Sequence, residues 1–204
     1  MILFRPVGLE ELCLVYESGL QAFPPRLPDQ PIFYPVLNEP YARQIARDWN
    51  TRSGTRSGFV TRFEVDDTFV ARFERRVVGG REHEELWVPA EELPAFNAHL
   101  TGPITVTSAF FGDDYGGLPG QSNLTNKTAA EQLIALGVLE AYNGFDFFDE
   151  VSTNHVAVFA NFFYWEHPEA VIDLEPARRA RILGLIRARW AASSHAAVPL
   201  GVTT

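Results

Sequence analysis

The chain has 204 residues, 46% of them apolar and 13% aromatic, which is enough to bury a sizeable core and excludes a disordered polar chain. Its formal net charge of −9 argues against a protein that wraps long nucleic acid, which needs a basic track to displace counterions. Cys13 is the single cysteine, so an intramolecular disulfide and a cysteine-based metal centre are excluded.

The opening "MILFRPV" is a short apolar run that predicts a strand carrying Arg5. "LEELCLVYESGL" sets Leu9, Leu12, Val15 and Tyr16 at helical spacing, with Gly19 as the stop signal. The proline-rich "QAFPPRLPDQPIFYPV" predicts an ordered, irregular loop that runs into an extended piece at Ile32–Tyr34. "NEPYARQIARDWN" predicts a helix capped by Asn38, with Tyr41, Ile45 and Trp49 as a buried stripe. The doubled "TRSG" that follows is a turn. Residues 59–65 and 68–74 alternate around Asp66–Asp67; they pair as a hairpin, or the second piece begins a short helix.

"REHEELWVPAEEL" crowds Glu82, Glu84 and Glu85 at the mouth of a strand. On that strand His83, Glu85 and Trp87 share one face, and Glu84, Leu86 and Val88 the other. With Leu86 and Val88 in the core, Glu85 looks away from it. A short helix at "PAEELPAFNAHL" and a strand at "ITVTSAFF" follow.

From residue 112 the pattern changes. "GDDYGGLPGQSN" is a glycine-rich connection without the Lys-Ser/Thr of a phosphate-binding loop. "TNKTAAEQLIALGVLEAY" predicts a helix with a Thr128/Glu131 capping box. "FDFFDEVSTNHVAVFANFFYWEHP" is aromatic and reads as buried. "EPARRARILGLIRARW" predicts a final helix whose arginines (178, 179, 181, 187 and 189) meet acids elsewhere in the protein, and the tail after Ala192 reads as frayed. The expected fold class is α+β. No secretion signal or apolar span stands out, so a cytoplasmic protein with no membrane partner is the expectation. No His pair has metal-binding helical spacing, so no metal is expected.

Residues 1–107 resemble the ADP-ribosyltransferase superfamily in the order of their parts. These are Arg5 in "LFRPV", the helix ending in Ser-Gly, the "IFYPVLNEPYARQIA" strand and helix, and Glu85 opening "EELWVP". The block from "FPPRLPDQ" to "RDWNT" is also similar to short bacterial proteins loosely described as ADP-ribosylation proteins. The superfamily's Ser-Thr-Ser motif is absent. The resemblance implies a split β-sheet core over residues 1–111 and a mostly helical extension over 112–204, packed on it. It implies NAD as donor, cleavage of the nicotinamide–ribose bond, and transfer of ADP-ribose to an acceptor that is a protein, a nucleobase or a small molecule. Glu85 would be the catalytic carboxylate, Arg5 an anchor for NAD, and Tyr34 or Tyr41 the platform under nicotinamide, with His83 beside them. The chemistry suits these residue types: a carboxylate steadies an oxocarbenium-like sugar, and a guanidinium forks onto phosphate. The competing expectation is a non-catalytic module that keeps the fold and binds NAD, ADP-ribose or a protein partner.

Overall fold

A computed structural model describes residues 1–80 and 83–203, so Glu82 lies outside the described residues. The chain is α+β and divides into two compact units: Met1–Asp113 with Val202–Thr204, and Asp114–Gly201. Among the described residues no helix is long and apolar enough to cross a membrane.

The first unit runs β1 (Ile2–Val7), α1 (Leu9–Glu17), β2 (Ile32–Phe33), α2 (Glu39–Asp48), β3 (Ser57–Glu64), α3 (Asp67–Val70), β4 (Glu74–Val77), β5 (Glu84–Pro89), α4 (Leu93–Ala98) and β6 (Thr105–Phe111). Two antiparallel three-stranded sheets form, in the orders β1-β3-β6 and β2-β5-β4. Val36 joins them: it bridges Phe4 of β1 on one side and Glu85 of β5 on the other. Both bonds between Phe4 and Val36 are made, at 2.9 and 2.7 Å.

Local chemistry sets the element ends. Gly19, at φ +72°, closes α1: its N–H donates to Tyr16 and that of Leu20 to Val15, the double bond of a left-handed helix stop. The Asn38 side chain accepts from the Tyr41 N–H at 2.9 Å and starts α2. Asp66 accepts from the Phe69 N–H at 2.8 Å, which turns residues 67–70 into α3 and so excludes the hairpin reading of 59–74. β4 follows, with all four residues exposed, so it carries no alternation that a sequence reading detects.

One sheet face is covered by aromatic packing among Phe23, Phe33, Phe63 and Phe96, with ring centroids 4.8 to 6.2 Å apart. The other face carries α2, whose Tyr41, Ala42 and Ala46 pack with Val36 and Val60. Trp49 departs from the expected buried stripe: it ends α2 and is 56% exposed. The reason is close approach, since α2 meets the sheet through its alanines, over Gly58.

Burial pushes the Cys13 thiol from 9.0 up to about 12, with Glu17 and Glu10 adding to the shift, and burial takes Tyr16 from 10.0 to about 12. The unfolded chain releases these protons first. Stability is therefore complete below about pH 9 and falls as pH rises toward 12. Denaturant midpoints measured from pH 8 to 11.5 are expected to drop over that window, and native Cys13 is expected to resist iodoacetamide at pH 8.

The second unit contains α5 (Ala129–Tyr142), α6 (Gly144–Thr153), α7 (His155–Trp165) and α8 (Pro176–Ala191). The capping box at Thr128 and Glu131 forms in both directions. Phe147, Phe159, Phe162, Phe163 and Trp165 are buried as the aromatic density predicts, but Phe145 is 76% exposed. The arginines of α8 all find acceptors. Arg178 donates to the Gly137 carbonyl, Arg179 to those of Trp165 and His167, Arg181 to Glu140, Arg187 to Glu166 and Arg189 to Ser152. The tail is not frayed as expected: the Trp190 indole donates to the Val198 carbonyl at 2.7 Å, and Val198 is buried.

Candidate functional site

Arg5 leaves β1 on the aromatic face of the sheet. Register places it opposite Thr61, in the row of Leu3 and Phe63, and its guanidinium stacks 4.5 Å over the Phe33 ring. It is 8% exposed. Its Nε and Nη2 fork onto Glu11 at 2.6 and 3.1 Å, and Nη1 donates to the Tyr34 carbonyl at 3.3 Å.

A cleft of about 380 Å³ opens beside this fork. Arg5, the first turn of α1 with Glu11, Arg26 and Gln30 from the proline-rich loop, and Ser53 and Thr55 from the turn before β3 line it. Arg26 lies 3.9 Å from Glu11 and donates to Gln30 at 2.5 Å, while its buried Nε has no hydrogen-bond partner among the described residues. Burial lowers the Arg26 pKa from its ordinary value, and the nearby Arg5 charge adds to that. Two guanidiniums share the Glu11 carboxylate here, and Glu10 also lines the cleft, so its two cations and two anions balance. The half-buried Arg26 guanidinium, with an N–H lacking a partner among the described residues, can still bond an anionic group that displaces the carboxylates of the α1 first turn. Arg26 was not among the residues singled out in the sequence. The available signal was its place inside "FPPRLPDQP", where prolines fix the backbone and can hold a cation under cover.

The remaining candidates gather on the opposite face. Glu85 shares a row with Val36 and Phe4, one residue out of phase with Arg5 and with the buried Leu86. The Tyr41 hydroxyl donates to Glu85 Oε1 at 3.0 Å, and the His83 ring stacks on Tyr41 at 4.2 Å. Burial, then Glu85, pushes the Tyr41 pKa up to about 12, so this hydroxyl stays a donor through neutral pH. Tyr34 meets Trp87 edge-on at 5.2 Å, and Arg76 lies 3.7 Å over the Trp87 ring. The Trp87 indole N–H is buried without a partner among the described residues.

The sheet thus brings Glu85, Tyr41 and His83 together, sets Tyr34 beside Trp87 on the same face, and leaves Arg5 on the other. Sequence alternation gave the facing of each strand by itself. It could not tell that one rung at Val36 puts Arg5 and Glu85 out of phase. No protein-family model, curated protein or solved structure matches this chain. Among the described residues, no group of three or more His, Cys, Asp or Glu side chains is placed to hold a metal ion.

Proposed function

We propose that the first unit binds a nucleotide of the ADP-ribose class, NAD or ADP-ribose itself, with the diphosphate in the cleft between Arg5 and Arg26. The observation that carries the reading is the pair of guanidiniums, Arg5 and Arg26, lining one cleft, with the enclosed Arg26 Nε left without a hydrogen-bond partner among the described residues. A diphosphate would lie against the two guanidiniums, and the Ser53 and Thr55 hydroxyls that line the cleft suit ribose. A volume near the small end of ligand sites fits one portion of a nucleotide, with the remainder along the open mouth. The two three-stranded sheets, linked through the Val36 rung, are read as an ADP-ribosyltransferase-like split sheet.

The test is titration calorimetry with ADP-ribose and NAD. Wild type is expected to bind, and Arg26→Glu to weaken binding by more than about tenfold, since it removes a charge-assisted bond and adds repulsion. Equal affinity in the variant, or no binding by wild type, overturns the reading.

Transfer of ADP-ribose is the second reading, favoured by the Glu85–Tyr41 hydrogen bond beneath His83. There a carboxylate oriented by a neutral phenol and an aromatic pair could steady a sugar cation. It ranks second because Arg5 and Glu85 occupy opposite sheet faces. Nicotinamide release from NAD that disappears in Glu85→Gln would reverse the ranking.

A further inference from the structure

Glu11 sits where an anionic ligand of the cleft would have to go. Its Oε1 accepts from Arg5 Nε at 2.6 Å and its Oε2 from Arg5 Nη2 at 3.1 Å, and the same Oε2 lies 3.9 Å from Arg26 Nη1. Both ion pairs that the cleft's guanidiniums form among the described residues therefore go to one carboxylate. Glu10, the other acid lining the cleft, is exposed and takes part in neither. A carboxylate and a phosphate present a guanidinium with the same pair of oxygens for its fork. Glu11 is thus an internal counterpart of an anionic ligand. Its side chain is 20% exposed, against 9% for Arg5, and it lines the cleft, so it can be released without opening the core.

The released carboxylate also has a place to go. Glu11 is the third residue of α1, whose N-cap is Gly8, and no side chain caps that helix end. From the third position a glutamate can reach back to the amide of the N-cap residue, and the helix dipole favours a carboxylate in the first turn.

We propose that Glu11 is a gate on this cleft: held on Arg5 it closes the unliganded protein to anions, and a diphosphate enters by displacing it toward the start of α1. The gate rests on the reading of the cleft as a nucleotide site. Its consequence is an opposition of signs. The Arg5–Glu11 fork stabilises the unliganded fold, and because it must break on binding, the same free energy opposes the ligand. A structural Glu11 that stays on Arg5 in the complex gives no such opposition; weakening it would loosen the cleft and weaken binding as well.

Calorimetry with ADP-ribose and thermal melts of wild type, Glu11→Gln and Glu17→Gln test the gate. Glutamine keeps the shape and one acceptor oxygen but gives up the charge. Glu17, exposed in the last turn of α1 and away from the cleft lining, controls for net charge. Glu11→Gln is expected to bind ADP-ribose about tenfold more tightly than wild type, while its unliganded form melts about 5 °C lower. Glu17→Gln is expected to match wild-type affinity within about twofold. A crystal structure of the wild-type complex is a second readout that needs no variant: Glu11 is expected to have left Arg5. A wild type that binds while Glu11→Gln binds equally or more weakly overturns the gate and leaves the nucleotide reading standing. So does a complex in which the Arg5–Glu11 fork persists. Absence of binding by both proteins removes the nucleotide reading and the gate together.

Discussion

Gly58→Ala is expected to destabilise the first unit more than any other conservative change in it. A Cβ at Gly58 would stand 2.1 Å from the Ala46 carbonyl oxygen and 2.7 Å from its carbon. Both atoms are backbone, so no side-chain rotation relieves the clash. α2 would have to lift from β3, taking Tyr41, Ala42 and Ala46 out of their packing with Val36 and Val60. Overpacking a core costs about 1–3 kcal/mol where side chains can yield, and a rigid backbone neighbour puts this site at or above the upper end. For a unit of this size that lowers the melting temperature by on the order of 15 °C. Gly102→Ala is the control: a Cβ there meets nothing within 4 Å, and its melting temperature is expected to stay close to wild type. Calorimetric scans of the two variants check the pair. If Gly58→Ala melts with the control, the close α2–β3 contact is wrong.

Asn161→Leu is expected to have the largest effect in the second unit. Asn161 is fully buried on α7, and its amide uses all its bonding capacity. Oδ1 accepts from the Leu118 N–H at 2.8 Å and the Tyr115 hydroxyl at 3.2 Å. Nδ2 donates to the Leu118 carbonyl at 2.9 Å and to Gln132 Oε1 at 3.0 Å. One side chain therefore fastens the glycine-rich loop to two helices. Leucine has a similar volume but leaves the Leu118 N–H and Gln132 Oε1 without these partners. At about 1–3 kcal/mol for each buried group stranded, the loss is roughly 3 kcal/mol or more. Denaturant titration should show the lost stability, and amide exchange of residues 115–121 should accelerate. Unchanged exchange there would show that the loop is held by something else. The sequence reads "GDDYGGLPG" as a connection, and these bonds hold it as a fixed one.

What the sequence shows well is local. Gly19, Asn38 and the Thr128/Glu131 pair mark helix ends because each acts on backbone groups a few residues away. The alternation in "EELWV" gives the facing of Leu86, Val88 and Glu85 because side-chain direction on a strand has period two. What it conceals depends on distant partners. β4 is exposed throughout, and only its pairing with β5 makes it a strand. Trp49 has the spacing of a buried stripe but falls where α2 ends. Arg5 and Glu85 look like one site when each strand is read alone. Whether they converge depends on the rung through Val36, a contact that no local pattern encodes. Arg26 is hidden for a related reason: loop composition does not reveal which loop side chain the fold encloses.

The most direct measurement is a crystal structure of the protein soaked with ADP-ribose. Density for the diphosphate is expected between the guanidiniums of Arg5 and Arg26. Ligand density against Glu85 and Tyr41, with the Arg5 cleft left empty, would contradict it.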